Sequence, residues 1–233
     1  MDFARRSLEL EWMDTEAIAR DDYARCLADL AVVNTVTLAR RPTLAFMRRV
    51  TRGVPRGTRF SVLDVGFGHG DMLRRLARWG ARRGIALELE GIDLDPVSAE
   101  AAERATSPGL GIRYRTGDVF DQKAGSVDVV ISSLFTHHLT DEQVVRFLGF
   151  MERTARRGWF VNDLHRHQVA YYGFTALSRA AGWHRYVQHD GRLSVARSFR
   201  RADWARLLAQ AGLERAADVR WHVPFRLCVS RVR

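Results

Sequence analysis

Glycines and carboxylates at the ends of two apolar runs are the first residues that could do chemistry. The run DVGFGHGD places Asp64, Gly66, Gly68 and Gly70 between an apolar stretch and a helical pattern. Glycines in such a turn let a ligand approach the backbone closely, and the helix that follows offers unpaired N–H groups. The spacing is GxGxG, which differs from the GxGxxG of dinucleotide sites. Asp93 ends the next apolar run, 25 residues after Gly68.

A third acidic position, Asp118, ends the following strand-like run. A carboxylate at Asp93 can accept hydrogen bonds from both hydroxyls of a ribose, and one at Asp118 can accept from an adenine amino group. In open α/β sheets, ligands bind beyond the carboxyl ends of the strands. The three positions therefore predict a nucleoside-containing ligand. A nicotinamide-binding domain is the alternative, and the glycine spacing disfavours it.

Histidines follow two later strand-like runs, in FTHHLTDEQ and NDLHRH. A phenol ionises near pH 10, whereas an imidazole with an ordinary pKa of ~6.5 can accept a proton at neutral pH. We therefore predict His137 as a general base, with His165 as the second candidate. His138 is expected to line the substrate site or to be structural. Asn162 and Asp163 are expected either to share that site or to satisfy loop amides.

The elements that must position these residues alternate between strand and helix from residue 58 onward. Pro96 is placed to open one helix, and Thr140 with Gln143 has capping-box spacing at another. Two strands broken near Pro224 follow the last helix. We predict an α/β fold: a Rossmann-like, seven-stranded, mostly parallel sheet with helices on both faces and an antiparallel C-terminal hairpin. The first five strands are expected at 60–65, 86–93, 111–118, 126–133 and 158–164.

Two segments lie outside this alternation. Residues 1–57 are expected to form an N-terminal helical cap or lid on a domain of residues 58–233. A helical insertion is expected around 165–199, where Tyr171 and Tyr172 are candidate substrate contacts. An aromatic roof over the site would suit a flat or apolar substrate and exclude water. The expected N-terminal helix carries Tyr23, Leu27, Leu30 and Asn34 on one face.

Composition favours one cytoplasmic domain. The chain has 233 residues and a net charge of +10, and of its 37 basic residues only Lys123 is a lysine. The arginines are scattered rather than clustered, which favours a solvated surface over nucleic-acid binding. The distant Cys26 and Cys228 argue against a disulfide framework or zinc site. No signal peptide or membrane span is expected, and monomer and homodimer both stay open.

The glycine turn and the carboxylates together resemble motifs I to III of class I S-adenosylmethionine-dependent methyltransferases. The resemblance covers about residues 58–233. It implies S-adenosyl-L-methionine as cofactor, S-adenosyl-L-homocysteine as product, and no metal. It places Asp64 and the Gly66–Gly70 backbone around the methionine portion and Asp93 at the ribose. The remaining cofactor contacts that we expect are Leu94 near the adenine, Asp118 and Val119 at the adenine edge, Ser132 at the fourth strand end, and Arg41 (or its neighbour Arg40) near the cofactor carboxylate.

The HHLTDEQ segment resembles that of ubiquinone/menaquinone-type small-molecule methyltransferases. Set against the HDWSDE motif of plant-type phenol O-methyltransferases, His137 matches the catalytic histidine and Asp141 the later aspartate. Ser132 and Ser133 replace both the Asn/Asp-Pro-Pro sequence of amino-group methyltransferases and the acidic ligand of metal-dependent enzymes. We therefore predict O-methylation of a phenolic, quinone-like or polyketide-like metabolite. C- or N-methylation, RNA methylation and a scaffold without turnover are the alternatives.

Overall fold

The computed structural model describes residues 2–121 and 127–233. Its central element is one seven-stranded sheet. Ser126, with which the predicted fourth strand begins, lies outside the described residues. The strands are β1 (Arg59–Val65), β2 (Ala86–Asp93), β3 (Ile112–Thr116), β4 (Val127–Ser133), β5 (Ala155–Leu164), β6 (Asp218–His222) and β7 (Arg226–Val232).

The strand order is β3-β2-β1-β4-β5-β7-β6. Strands β1 to β5 pair in parallel, and β7 runs antiparallel between β5 and β6. The chain reverses direction of travel across the sheet between β1 and β4, which creates the crevice where such sheets bind ligands. The predicted mostly parallel sheet with an antiparallel C-terminal hairpin is confirmed.

Helices cover both faces of the sheet. The capping signals act as expected: Asp95 Oδ1 accepts from the Val97 N–H at 2.7 Å beside Pro96, and Thr140 with Gln143 forms a capping box. The helices are α1 (Trp12–Thr15), α2 (Arg20–Val36), α3 (Arg40–Val50), α4 (Asp71–Arg83), α5 (Pro96–Arg104), α6 (Asp141–Thr154), α7 (Gln168–Ala180), α8 (Arg185–Arg197) and α9 (Arg201–Gln210).

Two apolar clusters sandwich the sheet. Helices α6 and α9 bury Phe147 and Trp204 on one face, while α3 and α4 bury Met47 and Leu73 on the other. The central strand β4 is buried from Asp128 to Ser132 and carries the apolar run Val129–Ile131, as a parallel sheet covered on both faces requires. This packing fixes the carboxyl ends of β1, β4 and β5 as a rigid edge.

The fifth strand begins at Ala155, earlier than the predicted residue 158. Arg156 and Arg157 place their guanidinium groups 3.3 and 3.4 Å from Asp128 Oδ1 on β4. This shared ion pair lets two charged residues occupy an extended strand end. The predicted strand left out Arg156 and Arg157 because a local sequence pattern does not reveal an ion-pair partner on a neighbouring strand.

The N-terminal segment and the pair α7 and α8 form the roof over the rigid edge. Helix α2 packs against α5 and α8, and α7 packs along α8. A third cluster, built on Cys26, Val33, Tyr186 and Val187, joins α2 to α8. Residues 1–57 carry α1, α2 and α3, and the roof is continuous across two segments distant in sequence.

Candidate active site

A cavity of about 340 Å³ lies between the rigid sheet edge and the roof. This volume is in the range of small-molecule sites. Three of the four residues that share one face of α2, Leu27, Leu30 and Asn34, line it. Its other walls include Gly66, Gly68, Asp64 and Asp71 from the glycine turn, His137 and His138 after β4, Leu164 after β5, Phe174 and Leu177 on α7, Val187 and Asp190 on α8, and Arg226 at the start of β7.

The glycine turn has a backbone that other residues would strain. Gly66 and Gly70 have φ values of +71° and +72°, in the left-handed region. A Cβ on Gly66 would lie 2.9 Å from the Phe135 ring, and one on Gly70 would lie 2.6 Å from the Tyr114 hydroxyl. Gly68, with φ +52°, lines the cavity. The turn therefore presents bare backbone to whatever the cavity holds.

Asp64 ends β1 as a buried carboxyl, 2% exposed, on the cavity wall. Its Oδ1 has no hydrogen-bond partner among the described residues. Burial, followed by the nearby charges of Asp71 and Asp93, raises the pKa of this carboxyl well above its ordinary value. An orphaned buried oxygen of this kind suits a ligand group that donates hydrogen bonds or carries positive charge.

Asp93 ends β2 and holds the glycine turn. Its Oδ2 accepts from the Gly68 N–H at 2.8 Å, and its Oδ1 accepts from the Asp95 N–H at 3.2 Å. Burial raises the pKa of Asp93, partly opposed by these two backbone hydrogen bonds. Tyr23 on α2 lies near this carboxylate. The pKa of the Tyr23 hydroxyl is raised, first by burial and then by the charges of Asp95 and Asp93. The second acidic motif is thus joined to the first by a hydrogen bond.

Leu94 and Asp118 follow β2 and β3 at the same edge. Leu94 is 72% exposed, and Asp118 Oδ1 accepts from the Phe120 N–H at 2.8 Å. The side chains of two other predicted cofactor contacts, Val119 and Ser132, make contacts inside the protein core. Val119 is buried in the core cluster beneath α6, and the buried Ser132 hydroxyl donates to the Val65 carbonyl at 2.9 Å. The structure therefore gives the Ser132 hydroxyl a role inside the sheet.

Arg40 on α3, like Arg226, lies on the cavity wall. Its Nε donates to Asp71 Oδ2 at 2.6 Å, and its Nη2 donates to the Ala31 carbonyl at 2.9 Å. Arg41, the predicted contact, is exposed on α3 and is not among the cavity-lining residues. One residue is about 100° of helix rotation, which moves Arg41 off the face that Arg40 shares with the cavity.

His137 lies in the short 3-10 turn Thr136–His138 after β4, 3% exposed and on the cavity wall. Its Nδ1 is 2.7 Å from Asp163 Oδ1 at the end of β5. Asp163 Oδ2 accepts from the Thr136 hydroxyl at 2.5 Å and from the His137 N–H at 3.0 Å. The parallel neighbours β4 and β5 thus bring together two residues 26 apart in sequence.

The electrostatics of the pair fix its tautomer. Burial opposes the charge on Asp163, but His137 and the hydrogen bonds from Thr136 and Leu164 outweigh it and hold the Asp163 pKa well below its usual value. An ionised Asp163 accepts the proton on His137 Nδ1, which leaves Nε2 with its lone pair. Asp163 is therefore the partner of a histidine as well as an acceptor for loop amides.

Glu11, for which no sequence pattern indicated a role, faces this histidine. It is buried at 5% exposure, and its Oε1 lies 3.7 Å from His137 Nε2. Its Oε2 lies 3.9 Å from His138 Nε2. The ligand atoms of Glu11, His137 and His138 all lie within 4.8 Å of one another, a spacing that a cation could also occupy. A cation at this position would bind the lone pair of His137 Nε2, so Nε2 could not accept a proton at the same time.

The strap formed by residues 2–19 is held by buried groups of the roof. Asp190 accepts from the backbone N–H groups of Trp12 and Met13, each at 2.9 Å. Arg197 donates to the Glu9 carbonyl at 3.1 Å and to the His137 carbonyl at 3.3 Å. These bonds position Glu11 over the histidines although more than 120 residues separate them in sequence.

His138 is half-buried, with Nδ1 3.0 Å from Asp14 Oδ2 on the strap. Burial opposes its protonation, but the hydrogen bond to Asp14 and the charges of Glu11 and Asp14 outweigh burial and raise the pKa of His138. The residue lines the cavity, as the sequence led us to expect, and it also ties the strap to the sheet edge.

The remaining three predicted residues lie elsewhere. His165 forms a bridge with Phe199 and is not among the cavity-lining residues. Tyr171 and Tyr172 pack against Phe3, with ring centroids 5.5 and 6.5 Å away. Helix α7 lines the cavity through positions three and four apart, namely Val169, Ala170, Gly173, Phe174 and Leu177. Tyr171 and Tyr172 are not among these lining residues, and their role as substrate contacts stays a prediction.

Residues 62–158 match the model of a family described as a methyltransferase domain. No curated protein sequence matches the chain. Among the residues that the structure describes, no helix has the length and apolarity needed to cross a membrane.

Several solved structures share the fold at low sequence identity. The plantazolicin methyltransferase BpumL, bound to a pentazolic desmethyl analog and SAH, has a TM-score of 0.68 at 12% identity, over 95% of this chain and 94% of its own. Magnesium protoporphyrin IX methyltransferase from Synechocystis PCC 6803 with bound SAM has a TM-score of 0.58 at 14% identity, over 97% of this chain and 99% of its own. Human N-acetylserotonin methyltransferase in complex with SAM has 0.63 at 16%, over 92% of this chain but 56% of its own.

Proposed function

We propose that this chain, a class I S-adenosylmethionine-dependent methyltransferase by its fold and its methyltransferase domain, methylates a hydroxyl group of a small, largely apolar metabolite. The observation that carries the proposal is the His137–Asp163 pair, whose free Nε2 faces the same cavity as the glycine turn. A proton acceptor beside a cofactor turn is what transfer to a phenolic oxygen needs.

S-adenosyl-L-methionine would supply an electrophilic methyl group and leave as S-adenosyl-L-homocysteine. The residues present fit that cofactor: the orphaned Asp64 Oδ1 suits its positively charged amino acid portion, and a Cβ at Gly68 would have its nearest neighbour, Leu27, 3.9 Å away, so this glycine leaves room for it. Gly66 lies on the same wall, and its missing side chain makes room for the Phe135 ring. We assign Asp93 to the ribose, Leu94 and Asp118 to the adenine, and Arg40 in place of Arg41 to the carboxylate end. Gly70 shapes the turn and opens α4.

His137 would take the proton of the acceptor hydroxyl at Nε2. Asp163 holds the imidazole in the required tautomer and, with Glu11 3.7 Å from Nε2, would stabilise the imidazolium that forms. His137 is 3% exposed, so these charges interact in a site from which most water is excluded. A positioned imidazole of this kind contributes about 10²- to 10⁴-fold in rate.

The roof supports an acceptor that is flat or apolar. Val169, Phe174, Leu177, Val187 and Val195 line it. Side chains of this kind bury the body of a phenolic, quinone-like or polyketide-like compound, while a few polar groups orient it. We therefore keep such metabolites as the acceptor class.

A second candidate is N-methylation of an amine. Its support is Glu11, a buried carboxylate near His137 and His138 that would attract a protonated amine. In that case Glu11 binds the acceptor, and His137 removes a proton from nitrogen. Kinetics of two variants distinguish the candidates. If the acceptor is an amine, Glu11→Gln raises its KM. If the acceptor is a phenol, the main effect is a lower kcat in His137→Gln.

Calorimetry with S-adenosyl-L-homocysteine is the first test, on the wild type and on Asp93→Ala. We expect micromolar binding that weakens by about 10- to 100-fold in the variant, because a carboxylate hydrogen bond of about 1.5–3 kcal/mol is lost. A panel of phenols and amines with S-adenosyl-L-methionine, read by mass spectrometry, then identifies the atom methylated. Wild-type protein that binds no S-adenosyl-L-homocysteine would overturn the proposal.

A further inference from the structure

Arg226 is a buried cation on the wall of the cavity. It is the first residue of β7, pairs in register with Leu164 of β5, and is 2% exposed. It lines the cavity together with Thr37, Leu164 and Phe225. This places it at the carboxyl end of β5, the strand end that also carries Asp163.

The guanidinium of Arg226 is largely unsatisfied. Its Nη2 donates to the Thr37 hydroxyl at 3.3 Å, while Nε and Nη1 have no partner in the described chain. None of the described carboxylates lies within ion-pair distance of it. Asp163, whose charge acts on Arg226, already accepts hydrogen bonds from Thr136, His137 and Leu164. Burial lowers the pKa of Arg226, yet an arginine stays protonated in proteins.

A buried, uncompensated charge is costly and is retained where a ligand completes it. The cavity's other arginine, Arg40, is already paired with Asp71. One unpaired positive charge calls for one negative charge on the ligand, and the planar guanidinium matches the geometry of a carboxylate. A phosphate dianion would leave a second negative charge without a partner.

We propose that Arg226 binds a carboxylate of the acceptor, so that the substrates are small hydroxy acids whose apolar body lies under the roof. The inference rests on the proposed function, since it takes the cavity beyond the glycine turn as the acceptor site. Arg226 is then a specificity-determining residue, and His137 acts on the hydroxyl of the molecule that Arg226 holds by its acid group.

Matched acid and amide probes test this. The protein, saturated with S-adenosyl-L-homocysteine, is titrated calorimetrically with 4-hydroxybenzoate and 4-hydroxycinnamate, and with the corresponding neutral amides. We expect at least one acid to bind ten-fold or more tightly than its amide. Arg226→Met should abolish the preference, and Arg226→Lys should restore part of it. Arg41→Met removes an exposed arginine from the same chain and should leave the preference unchanged.

The outcomes separate the inference from the proposed function. Arg226→Met exchanges an unpaired buried cation for an apolar side chain of similar length, so we expect it to fold, with Tm as the check. Equal binding of acids and amides by the wild type would overturn the inference, as would weakened S-adenosyl-L-homocysteine binding in Arg226→Met, which would assign the arginine to the cofactor. Acid preference without methylation of any probe would support Arg226 and count against O-methylation.

Discussion

The cofactor side and the acceptor side of the cavity are built in different ways. On the cofactor side, the bond that joins the two motifs links Gly68 to Asp93, 25 residues away. On the acceptor side, Arg6 reaches the Leu139 carbonyl across 133 residues, and Arg197 reaches the Glu9 carbonyl across 188. The cofactor side therefore depends on contacts between residues close in sequence, whereas the acceptor side is assembled from distant segments.

The difference predicts that chemistry and cofactor binding can be lost separately. The first and largest effect should come from His137→Gln. We expect kcat to fall by about 10²- to 10⁴-fold, because the proton acceptor is removed. Affinity for S-adenosyl-L-homocysteine should stay within two-fold of the wild type in calorimetry, because the glycine turn is untouched. Asp163→Asn should also lower kcat, since an amide no longer enforces the tautomer of His137.

Chelation is the control for that interpretation. If His137 Nε2 takes the proton, dialysis against EDTA leaves the wild-type rate unchanged. A rate that disappears on chelation and returns with zinc would instead mean that Glu11, His137 and His138 hold a cation, and the base would have to be sought elsewhere. His165→Gln should keep full activity, because His165 lies outside the cavity wall.

The contrast also explains what the sequence could predict. The turn from β1 to α4 was readable because its requirements are local: positive φ at Gly66 and Gly70, and an adjacent helix start. The mostly parallel sheet with its terminal antiparallel hairpin followed from the alternation of strands and helices and from the two consecutive strands at the end of the chain. His137 was readable from its place after β4, where the 3-10 turn presents it to the cavity.

The other site residues depended on the rotation of a helix about its axis and on contacts between segments distant in sequence. Tyr171 and Tyr172 were chosen for their aromatic character, but the rotation of α7 is set by packing on α8 and turns Ala170 and Phe174 inward. Arg40 and Arg41 differ by one position, which periodicity could not decide. Glu11 has no signal of any kind, because its site depends on bonds that Asp190 and Arg197 make to the strap.

An intermediate effect is expected at Asp64, where cofactor binding and stability should move in opposite directions. We expect Asp64→Asn to weaken S-adenosyl-L-homocysteine binding by about ten-fold or more, as a charge-assisted hydrogen bond is lost. The raised pKa of Asp64 means that its ionisation costs stability above pH 3.8. The variant should therefore have the higher Tm at pH 7.5, and the gain should shrink as the pH falls toward 4. A lower Tm at pH 7.5 would show that Asp64 is a structural carboxylate.

The smallest effect should come from the contact between His138 and Asp14, which belongs to the acceptor side alone. Because the pKa of His138 is raised in the folded protein, the stability that it contributes is present in full below pH 6.5 and is lost as the pH rises through the folded value. Asp14→Asn should therefore cost about 0.5–1 kcal/mol more unfolding free energy at pH 6 than at pH 9, as a partly exposed ion pair does, because at pH 9 only the longer contact of Asp14 with Arg197, at 3.8 Å, remains charged. Denaturant unfolding at the two pH values measures this, and Asp2→Asn is the matched control on the same strap. Equal losses at both pH values would show that Asp14 acts without the charge of His138. A larger loss at pH 6 than at pH 9, with cofactor affinity unchanged at both, would show that the charge of His138 helps to hold the strap and that the glycine turn does not depend on this contact.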